Sequence, residues 1–304
     1  MKVDNIYLPD FLIVGAPKCG TTSIATTLQK HSEIFIPARK ECRFFSNMDP
    51  IFKGVGDEVT NEAIIKDLNH YLSLFDKSKP NQKLGDASVE YLLYYENTIE
   101  SIKKYYPKDK YPKIIIVLRD PTKRAFSAYM HLIRDSRETK TFKEALLLEE
   151  KRKEEHYDFL WRYKEQGLYS KQVIPFMENF DTSVLFYDDF KDDPETFYKG
   201  LIDFIGVEEE EELDYGIRYN ISGVPKNELL QKVLEKAVFP REIKQYVPEK
   251  VRSFLVERKE RMKDKNLKKV GVPLEEKKYL QEYFKEDILK LSKVVSRDLS
   301  NWLK

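Results

Sequence analysis

A short segment near the N-terminus combines residue types that bind anions. Residues 15–20 read Gly-Ala-Pro-Lys-Cys-Gly, and the hydroxyl side chains of Thr21, Thr22 and Ser23 follow. The backbone N–H groups of such a turn and the positive end of the following helix hold an anion, and the ammonium group of Lys18 adds a full charge. The segment therefore predicts a binding site for a phosphate or a chemically related group.

The position of the lysine distinguishes this segment from the phosphate loop of magnesium-dependent nucleotide enzymes. That motif places Lys directly after the second glycine and a magnesium-binding Ser or Thr next. Here Thr21 follows Gly20, and Lys18 lies inside the turn. Three interpretations stay open: a variant anion loop whose cation faces a transferred group, a divergent ATP-dependent kinase, and a turn with an incidental surface lysine. A kinase also needs an acidic residue to hold magnesium, for which Asp188 is the nearest candidate.

A second set of candidate phosphate ligands follows another apolar run. Arg119 comes directly after residues 113–118, and Ser127 lies eight residues further on. The planar guanidinium of Arg119 matches a phosphate with two parallel hydrogen bonds, and Ser127 adds a hydroxyl. Arg119 alternatively pairs with Asp120 at the strand end. Arg124 either contacts phosphate or faces solvent.

Both sets depend on predicted strands and helices for their position. The predicted elements alternate, with strands at residues 10–15, 113–118 and 183–187 and helices at residues 21–31, 121–134 and 194–205. Continuous apolar runs are typical of strands buried on both faces, and such alternation predicts a parallel sheet. Longer helical segments are predicted at residues 61–75, 97–106, 141–163 and from about residue 273. The predicted fold class is therefore α/β: a three-layer P-loop-like fold with a central parallel sheet flanked by helices, with helical insertions, in one domain spanning residues 1–304.

Composition excludes several other classes of protein. The chain has 304 residues, of which 41% are hydrophobic, and its 53 Lys and Arg nearly balance 52 Asp and Glu. A net charge of +1 argues against bulk capture of nucleic acid. Two cysteines and four scattered histidines predict neither a disulfide framework nor a metal site. Early apolar runs are far shorter than the ~20 residues of a membrane span, so we expect a cytoplasmic protein without one.

The two sets of ligands together resemble a known family. Residues 17–23, Pro-Lys-Cys-Gly-Thr-Thr-Ser, resemble the phosphosulfate-binding loop of sulfotransferases that use 3′-phosphoadenosine 5′-phosphosulfate (PAPS). Residues 119–129 resemble the family's second element, in which an Arg at a strand end and a Ser in the next helix bind the 3′-phosphate. Further similarity extends over nearly the whole chain, at residues 167–169, 185–189, 204–207, 219–223 and 297–303. The order is most similar to bacterial members related to the carbohydrate (heparan-type) sulfotransferases.

This resemblance implies an activity and a set of ligands. The implied reaction moves a sulfuryl group from PAPS to a hydroxyl or amine by in-line displacement, releases adenosine 3′,5′-bisphosphate (PAP) and needs no metal. Lys18 then stabilises the departing nucleotide. The implied nucleotide ligands are Pro17, Lys18, Cys19, Gly20, Thr21, Thr22, Ser23, Arg119 and Ser127, with a looser match at Asn220, Ser222, Gly223 and Lys226. A kinase has no use for a 3′-phosphate pocket, whereas a non-catalytic nucleotide-binding module would bind PAP without transfer.

The resemblance also implies a catalytic base. Residues 37–45 contain the Lys-Glu…Phe-Phe element of glycan sulfotransferases, which assigns the base to Glu41. The flanking cations Lys40 and Arg43 weaken a carboxylate as a base, whereas burial strengthens it, and the sequence leaves the balance open. His31 and His131 are rival bases because some branches use a histidine. Their positions in the predicted helices favour packed or surface roles for both.

The acceptor is the least constrained part of the prediction. Residues 85–88, Gly-Asp-Ala-Ser, resemble the strand end that lines the acceptor cleft, but Ala87 replaces a lysine found there in related enzymes. The expected partner is a small-molecule or glycan acceptor, that is, a saccharide or a small metabolite, and the oligomeric state is left open. Cys19 is predicted to be a small packing residue rather than an acidified thiol. The aromatic residues of the helical segments, Tyr91, Tyr94, Tyr95, Tyr157, Trp161 and Tyr163, are predicted to be core.

Overall fold

The computed structural model describes residues 2–3, 6–208, 224–225, 267–268 and 270–304. Its strands are β1 (Lys2–Val3), β2 (Ile6–Tyr7), β3 (Phe11–Gly15), β4 (Ile34–Phe35), β5 (Lys83–Ala87), β6 (Lys113–Leu118), β7 (Thr182–Phe186), β8 (Val224–Pro225) and β9 (Leu267–Lys268). Its helices are α1 (Thr21–Leu28), α2 (Glu58–Ala63), α3 (Leu68–Ser73), α4 (Tyr95–Tyr105), α5 (Pro121–Arg134), α6 (Phe142–Leu147), α7 (Glu149–Glu154), α8 (Ser170–Asn179), α9 (Tyr187–Asp192), α10 (Pro194–Ile205) and α11 (Leu274–Val294). Short 3₁₀ turns lie at Val89–Tyr91, Phe159–Trp161, Glu165–Gly167 and Ser300–Leu303.

Five strands form one parallel sheet in the order β4-β5-β3-β6-β7. Phe11 of β3 pairs with Gly85 on one side and with Lys113 on the other, and Ile114 of β6 pairs with Thr182 of β7. From β3 the chain goes to β4 and β5 on one side and then crosses to β6 and β7 on the other, so the crevice where the direction reverses lies at the carboxyl end of β3. Ligands of open parallel sheets bind at such a crevice.

The predicted α/β fold is confirmed, and its central strands are apolar for a physical reason. The strand residues Leu12–Val14 and Ile114–Leu118 have no exposed surface, since helices cover both faces of the sheet. Asp120 caps α5 by accepting hydrogen bonds from the Thr122 and Lys123 N–H groups, and Pro121 occupies the first turn. The predicted core positions of Tyr91, Trp161 and Tyr163 are also confirmed, because each is almost completely buried.

Several predicted boundaries are wrong, each for a local reason. α1 ends at Leu28 rather than at residue 31, because the Lys30 and His31 N–H groups bond three residues back and tighten the chain. The predicted helix 141–163 is split into α6, α7 and a 3₁₀ turn. Residue 187 begins α9 rather than ending β7. The two-residue β4 carries no periodic signal and was not predicted.

Candidate active site

The turn after β3 holds Lys18 in an unusual backbone conformation. Lys18 has φ of 69° and Gly20 has φ of 85°, both in the left-handed region. A Cβ at Gly20 would lie 3.1 Å from the Tyr187 ring, so only glycine fits there. Among the described residues, no side chain caps the N-terminus of α1. The open N–H groups of this turn and helix can therefore receive an anion.

The Lys18 side chain is partly buried among charges of both signs. Burial and then the Arg134 guanidinium lower the pKa of Lys18 to about 8, and Arg119 acts in the same direction. Asp135 and Glu41 partly offset this by raising the pKa. An anionic ligand bound beside Lys18 would raise its pKa again and so keep its ammonium group charged.

Arg119 connects the second motif directly to the first. Its Nη1 donates to the Lys18 carbonyl oxygen at 3.2 Å, and its guanidinium lies 4.8 Å from the centre of the Tyr187 ring. The Tyr169 hydroxyl donates to the Arg119 carbonyl oxygen at 2.9 Å. Ser127 lies further along α5, with 5% of its surface exposed. The structure therefore brings the Lys18 turn and the Arg119 strand end together, as the alternation of strands and helices predicts.

Glu41 lies on a loop that is pinned to the end of β5. Its backbone N–H donates to the Ala87 carbonyl oxygen at 3.0 Å, and the Arg43 N–H donates to Ser88 Oγ at 3.2 Å. The Glu41 carboxylate accepts from Arg43 Nη2 at 2.5 Å, and the Glu41 side chain is 36% exposed. The charge of Glu41 raises the pKa of Lys18 and of Lys40. Burial is the larger effect on Lys40 and lowers its pKa to about 8.

The Glu41 carboxylate is not buried against the two phenylalanines that follow it in the sequence. Phe44 stacks on Tyr71 with ring centres 4.4 Å apart, and Phe45 also packs in the core with no exposed surface. Both rings therefore anchor the loop from below and leave the Glu41 carboxylate at the surface with Arg43 as its partner.

The two candidate histidines occupy different environments. At the end of α1, His31 Nε2 lies 2.8 Å from the Glu208 carbonyl oxygen, and Nδ1 accepts from the Glu33 N–H, so the ring is engaged in packing. His131 lies beside Lys18, and burial together with the charge of Lys18 lowers the pKa of His131 well below its ordinary value. Arg134 Nη2 lies 2.9 Å from His131 Nδ1 and can only donate. The neutral ring therefore carries its proton on Nε2 and is a donor there, not a base.

The solvent-facing interpretation of Arg124 is wrong, because its side chain has no exposed surface, whereas a contact with phosphate stays a prediction. Arg124 is fully buried and donates to the Tyr163 carbonyl oxygen and to Gln166 Oε1. It ties α5 to the turns of residues 159–167.

The alternative of an acidified Cys19 thiol is wrong, since burial raises the pKa of Cys19 to about 11. Cys19 is a packing residue with no exposed surface.

Tyr187 is a site residue that motif reasoning missed. Its ring lies against both Gly20 and the Arg119 guanidinium. Its position directly after β7 is the available signal, since side chains that follow parallel strands line one edge of the sheet. Asn220, Ser222, Gly223 and Lys226 lie outside the described residues.

Two kinds of feature are absent from the part of the chain that the structure describes. Across the described parts of the chain, no group of three His, Cys, Asp or Glu side chains is arranged to hold a metal ion. In the same parts, no helix is long and apolar enough to cross a membrane.

A parallel sheet with an anion-binding turn at its central crevice defines the class of P-loop-like nucleotide-binding folds. Within that class, the model of the sulfotransferase family matches residues 9–211, more than half of the chain. The chain therefore belongs to the sulfotransferase family, whose enzymes transfer sulfo groups. The crystal structure of a sulfotransferase from Alicyclobacillus acidocaldarius is 32% identical with a TM-score of 0.76, and the match covers 98% of this chain and 100% of that one.

Curated relatives match over shorter segments. Membrane-associated sulfotransferase kil1 of Dictyostelium discoideum is 32% identical over 125 residues, which are 41% of this chain and 23% of that protein. Carbohydrate sulfotransferase 15 of Mus musculus is 26% identical over 168 residues, covering 45% and 29%. Heparan sulfate glucosamine 3-O-sulfotransferase 5 of Mus musculus is 27% identical over 136 residues, covering 44% and 34%. The matched segments thus span about a quarter to a third of these relatives.

Proposed function

We propose that this protein transfers a sulfuryl group from PAPS to a hydroxyl or amine acceptor and releases PAP. The contact of Arg119 with the Lys18 carbonyl oxygen supports this proposal most strongly, because it joins two anion ligands of different motifs at one crevice. A saccharide or a small metabolite is the proposed acceptor. The names of the relatives carbohydrate sulfotransferase 15 and heparan sulfate glucosamine 3-O-sulfotransferase 5 favour a saccharide.

The proposed donor site grips the nucleotide at two phosphates. The backbone N–H groups of residues 20–22 and the hydroxyls at the start of α1 bind the 5′-phosphate, and Pro17, Cys19 and Ser23 shape that turn. Arg119 and Ser127 bind the 3′-phosphate. The loop that contains Asn220, Ser222, Gly223 and Lys226 is proposed to cover the nucleotide.

The proposed transfer is an in-line displacement at sulfur. The acceptor oxygen or nitrogen forms a bond to sulfur while the bond from sulfur to the bridging oxygen breaks, and that oxygen leaves with the electron pair on PAP. The Lys18 ammonium stabilises the charge that develops on the bridging oxygen. The Glu41 carboxylate takes the proton that the acceptor loses.

Ligand selectivity tests this function. We expect PAP to raise the melting temperature of the full chain more than AMP or ADP with Mg²⁺ does, because only PAP carries a 3′-phosphate. Arg119→Met should weaken PAP binding by about 10- to 100-fold and leave AMP binding nearly unchanged, since a hydrogen bond to a charged group is worth about 1.5–3 kcal/mol. Selective stabilisation by ADP with Mg²⁺ would instead favour a kinase.

Turnover separates an enzyme from a binding module. Radiolabelled PAPS is supplied with heparosan oligosaccharide, chondroitin oligosaccharide, 4-nitrophenol and tyramine, which represent saccharide, phenol and amine acceptors. Transfer of label to a saccharide is the expected result. Binding of PAP without label transfer to any of the four acceptors would favour a non-catalytic module.

The low pKa of Lys18 predicts that PAP affinity depends on pH. The pKa of the free Lys18 ammonium is about 8, and an anionic ligand binds the charged form. Affinity is therefore full below pH 8 and lost above it, so Kd should be about tenfold higher at pH 9 than at pH 7. Calorimetric titration of PAP across this range checks the result. Lys18→Ala should remove most of this pH dependence. Lys40 has a pKa of about 8 as well and contributes the rest.

A further inference from the structure

A fully buried carboxylate lies behind the proposed base. Glu90 is in the 3₁₀ turn Val89–Tyr91 that follows β5, and its side chain has no exposed surface. Its carboxylate accepts no hydrogen bond from any other residue that the structure describes, and only its own backbone N–H acts on it in this way. A buried unpaired charge costs several kcal/mol, so Glu90 either stays protonated or needs a partner when it ionises.

Among the charged groups, Arg43 has the largest effect on the pKa of Glu90. Only one of the three guanidinium nitrogens of Arg43 donates a hydrogen bond. Nη2 donates to Glu41, whereas Nε and Nη1 are buried without an acceptor within the described chain. Burial lowers the pKa of Arg43, but the charges of Glu90 and then Glu41 outweigh it and raise the pKa above its ordinary value. One guanidinium thus serves two carboxylates and bonds to only one of them.

The backbone holds these three groups in place. Glu41 and Arg43 have φ of 57° and 59°, a left-handed conformation that costs a non-glycine residue of order 1–3 kcal/mol. The bonds of this loop to Ala87 and Ser88 hold that conformation against the end of β5. Since Glu90 follows the same strand end, its position relative to Arg43 is built into the fold.

We propose that Glu90 is a positioning residue that draws Arg43 away from Glu41 and so frees Glu41 to accept the acceptor's proton. With Arg43 Nη2 on Glu41, the carboxylate oxygen that accepts this hydrogen bond is not open to the acceptor's proton. When Arg43 turns its unused edge to Glu90, the buried donors and acceptors satisfy each other and Glu41 faces the acceptor alone. The catalytic part of this inference rests on the proposed sulfuryl transfer, whereas the exchange of partners does not.

The exchange depends on the charge of Glu90. Burial raises the pKa of Glu90 to about 8, so Arg43 stays on Glu41 at lower pH and moves to Glu90 as the pH rises through that value. Asp86 also faces this region, but Ser88, Tyr71 and Tyr91 all donate to its oxygens. Five other titratable groups interact electrostatically with Glu90 or Arg43: Glu41, Cys42, Tyr91, Tyr94 and Asp158.

Nitrogen-15 NMR of the arginine side chains tests the exchange without any ligand. In the full chain, the Arg43 Nε–H signal should shift with a midpoint near pH 8, and at high pH its exchange with water should be at least tenfold slower than in Glu90→Gln at the same pH, because it bonds to Glu90. Arg43→Lys assigns the signal by removing it. Glu90→Gln should abolish the shift, and Glu100→Gln, which changes an exposed carboxylate on α4, should preserve it.

Turnover at saturating PAPS and acceptor tests the catalytic consequence, with the best acceptor of the four-compound panel. Because saturating PAPS binds the charged form of Lys18, the parent kcat should rise about tenfold between pH 7 and 9, while Glu90→Gln should stay at the low-pH level with unchanged PAP affinity. If Glu90→Gln does not fold, Glu90→Asp keeps a carboxylate and should keep the pH-dependent NMR shift.

Three outcomes overturn the proposal in distinguishable ways. An Arg43 signal that does not titrate in the parent, or that titrates equally in Glu90→Gln, rejects the exchange even if sulfuryl transfer is found. An exchange that is observed while kcat of Glu90→Gln follows the parent profile rejects the positioning role. A parent that transfers no sulfuryl group rejects the proposed function and with it the positioning role, whatever the NMR signal does.

Discussion

Replacement of Glu41 by glutamine is expected to lower kcat by about 10²- to 10⁴-fold, the range contributed by a positioned general base. Glutamine keeps the shape of the side chain and its ability to accept a hydrogen bond from Arg43, but it cannot take up a proton. Because Glu41 is held on the loop pinned to β5 and its charge is the weakest of those that act on Lys18, PAP binding should stay within a few-fold of the parent value. Initial rates at saturating PAPS and acceptor measure the effect.

The matched control for this variant is Glu100→Gln, which makes the same chemical change at an exposed position of α4. Its kcat should equal that of the parent. A Glu41→Gln protein with parental rates and a parental pH profile would show that another group accepts the proton. His131 would then need a ring proton on Nδ1 instead of Nε2, which the Arg134 contact opposes.

Replacement of Lys18 by alanine is expected to lower kcat by about 10²- to 10³-fold, as removal of one charge-stabilising donor does in other transferases and hydrolases. Its ammonium group lies in the turn after β3, where the proposed bridging oxygen acquires charge. Loss of one cation among Arg119 and Arg134 should also relieve repulsion, so the fold should be retained. The measurement is kcat with radiolabelled PAPS.

The matched control is Lys30→Ala, which removes a positive charge from an exposed residue just after α1. It should leave kcat unchanged. Equal rates for Lys18→Ala and the parent would remove Lys18 from the transfer step and leave it a role in ligand binding only.

The donor side of the site could be predicted because it depends on short-range signals. The apolar runs that form β3 and β6 are long enough to be read as buried strands, and the turn residues follow them directly. Parallel neighbours then bring Lys18 and Arg119 to one edge without further information. The same reasoning extended to β7 would have found Tyr187.

The burial of two charged residues, Arg124 and Glu90, could not be predicted, because it depends on contacts between distant segments. Arg124 is buried only because the turns of residues 159–167 cover α5, and those turns carry no periodic signal. Glu90 is buried because residues 41–45 fold back over the end of β5, with the Phe45 N–H donating to the Tyr91 hydroxyl. Neither contact can be predicted from the local spacing or composition of the sequence.

The way in which the loop of Glu41 is attached to the sheet has an evolutionary consequence. Lys18 and Arg119 belong to two adjacent central strands, whereas Glu41 belongs to an excursion between α1 and β5 that is fastened at Ala87 and Ser88. Exposed residues of that excursion, such as Val55 and Val59, can change without disturbing those two fastenings, whereas Tyr71 cannot, because it stacks on Phe44 and donates to Asp86. Under the proposed function, variation of these exposed residues would alter the acceptor and leave the chemistry of the donor unchanged.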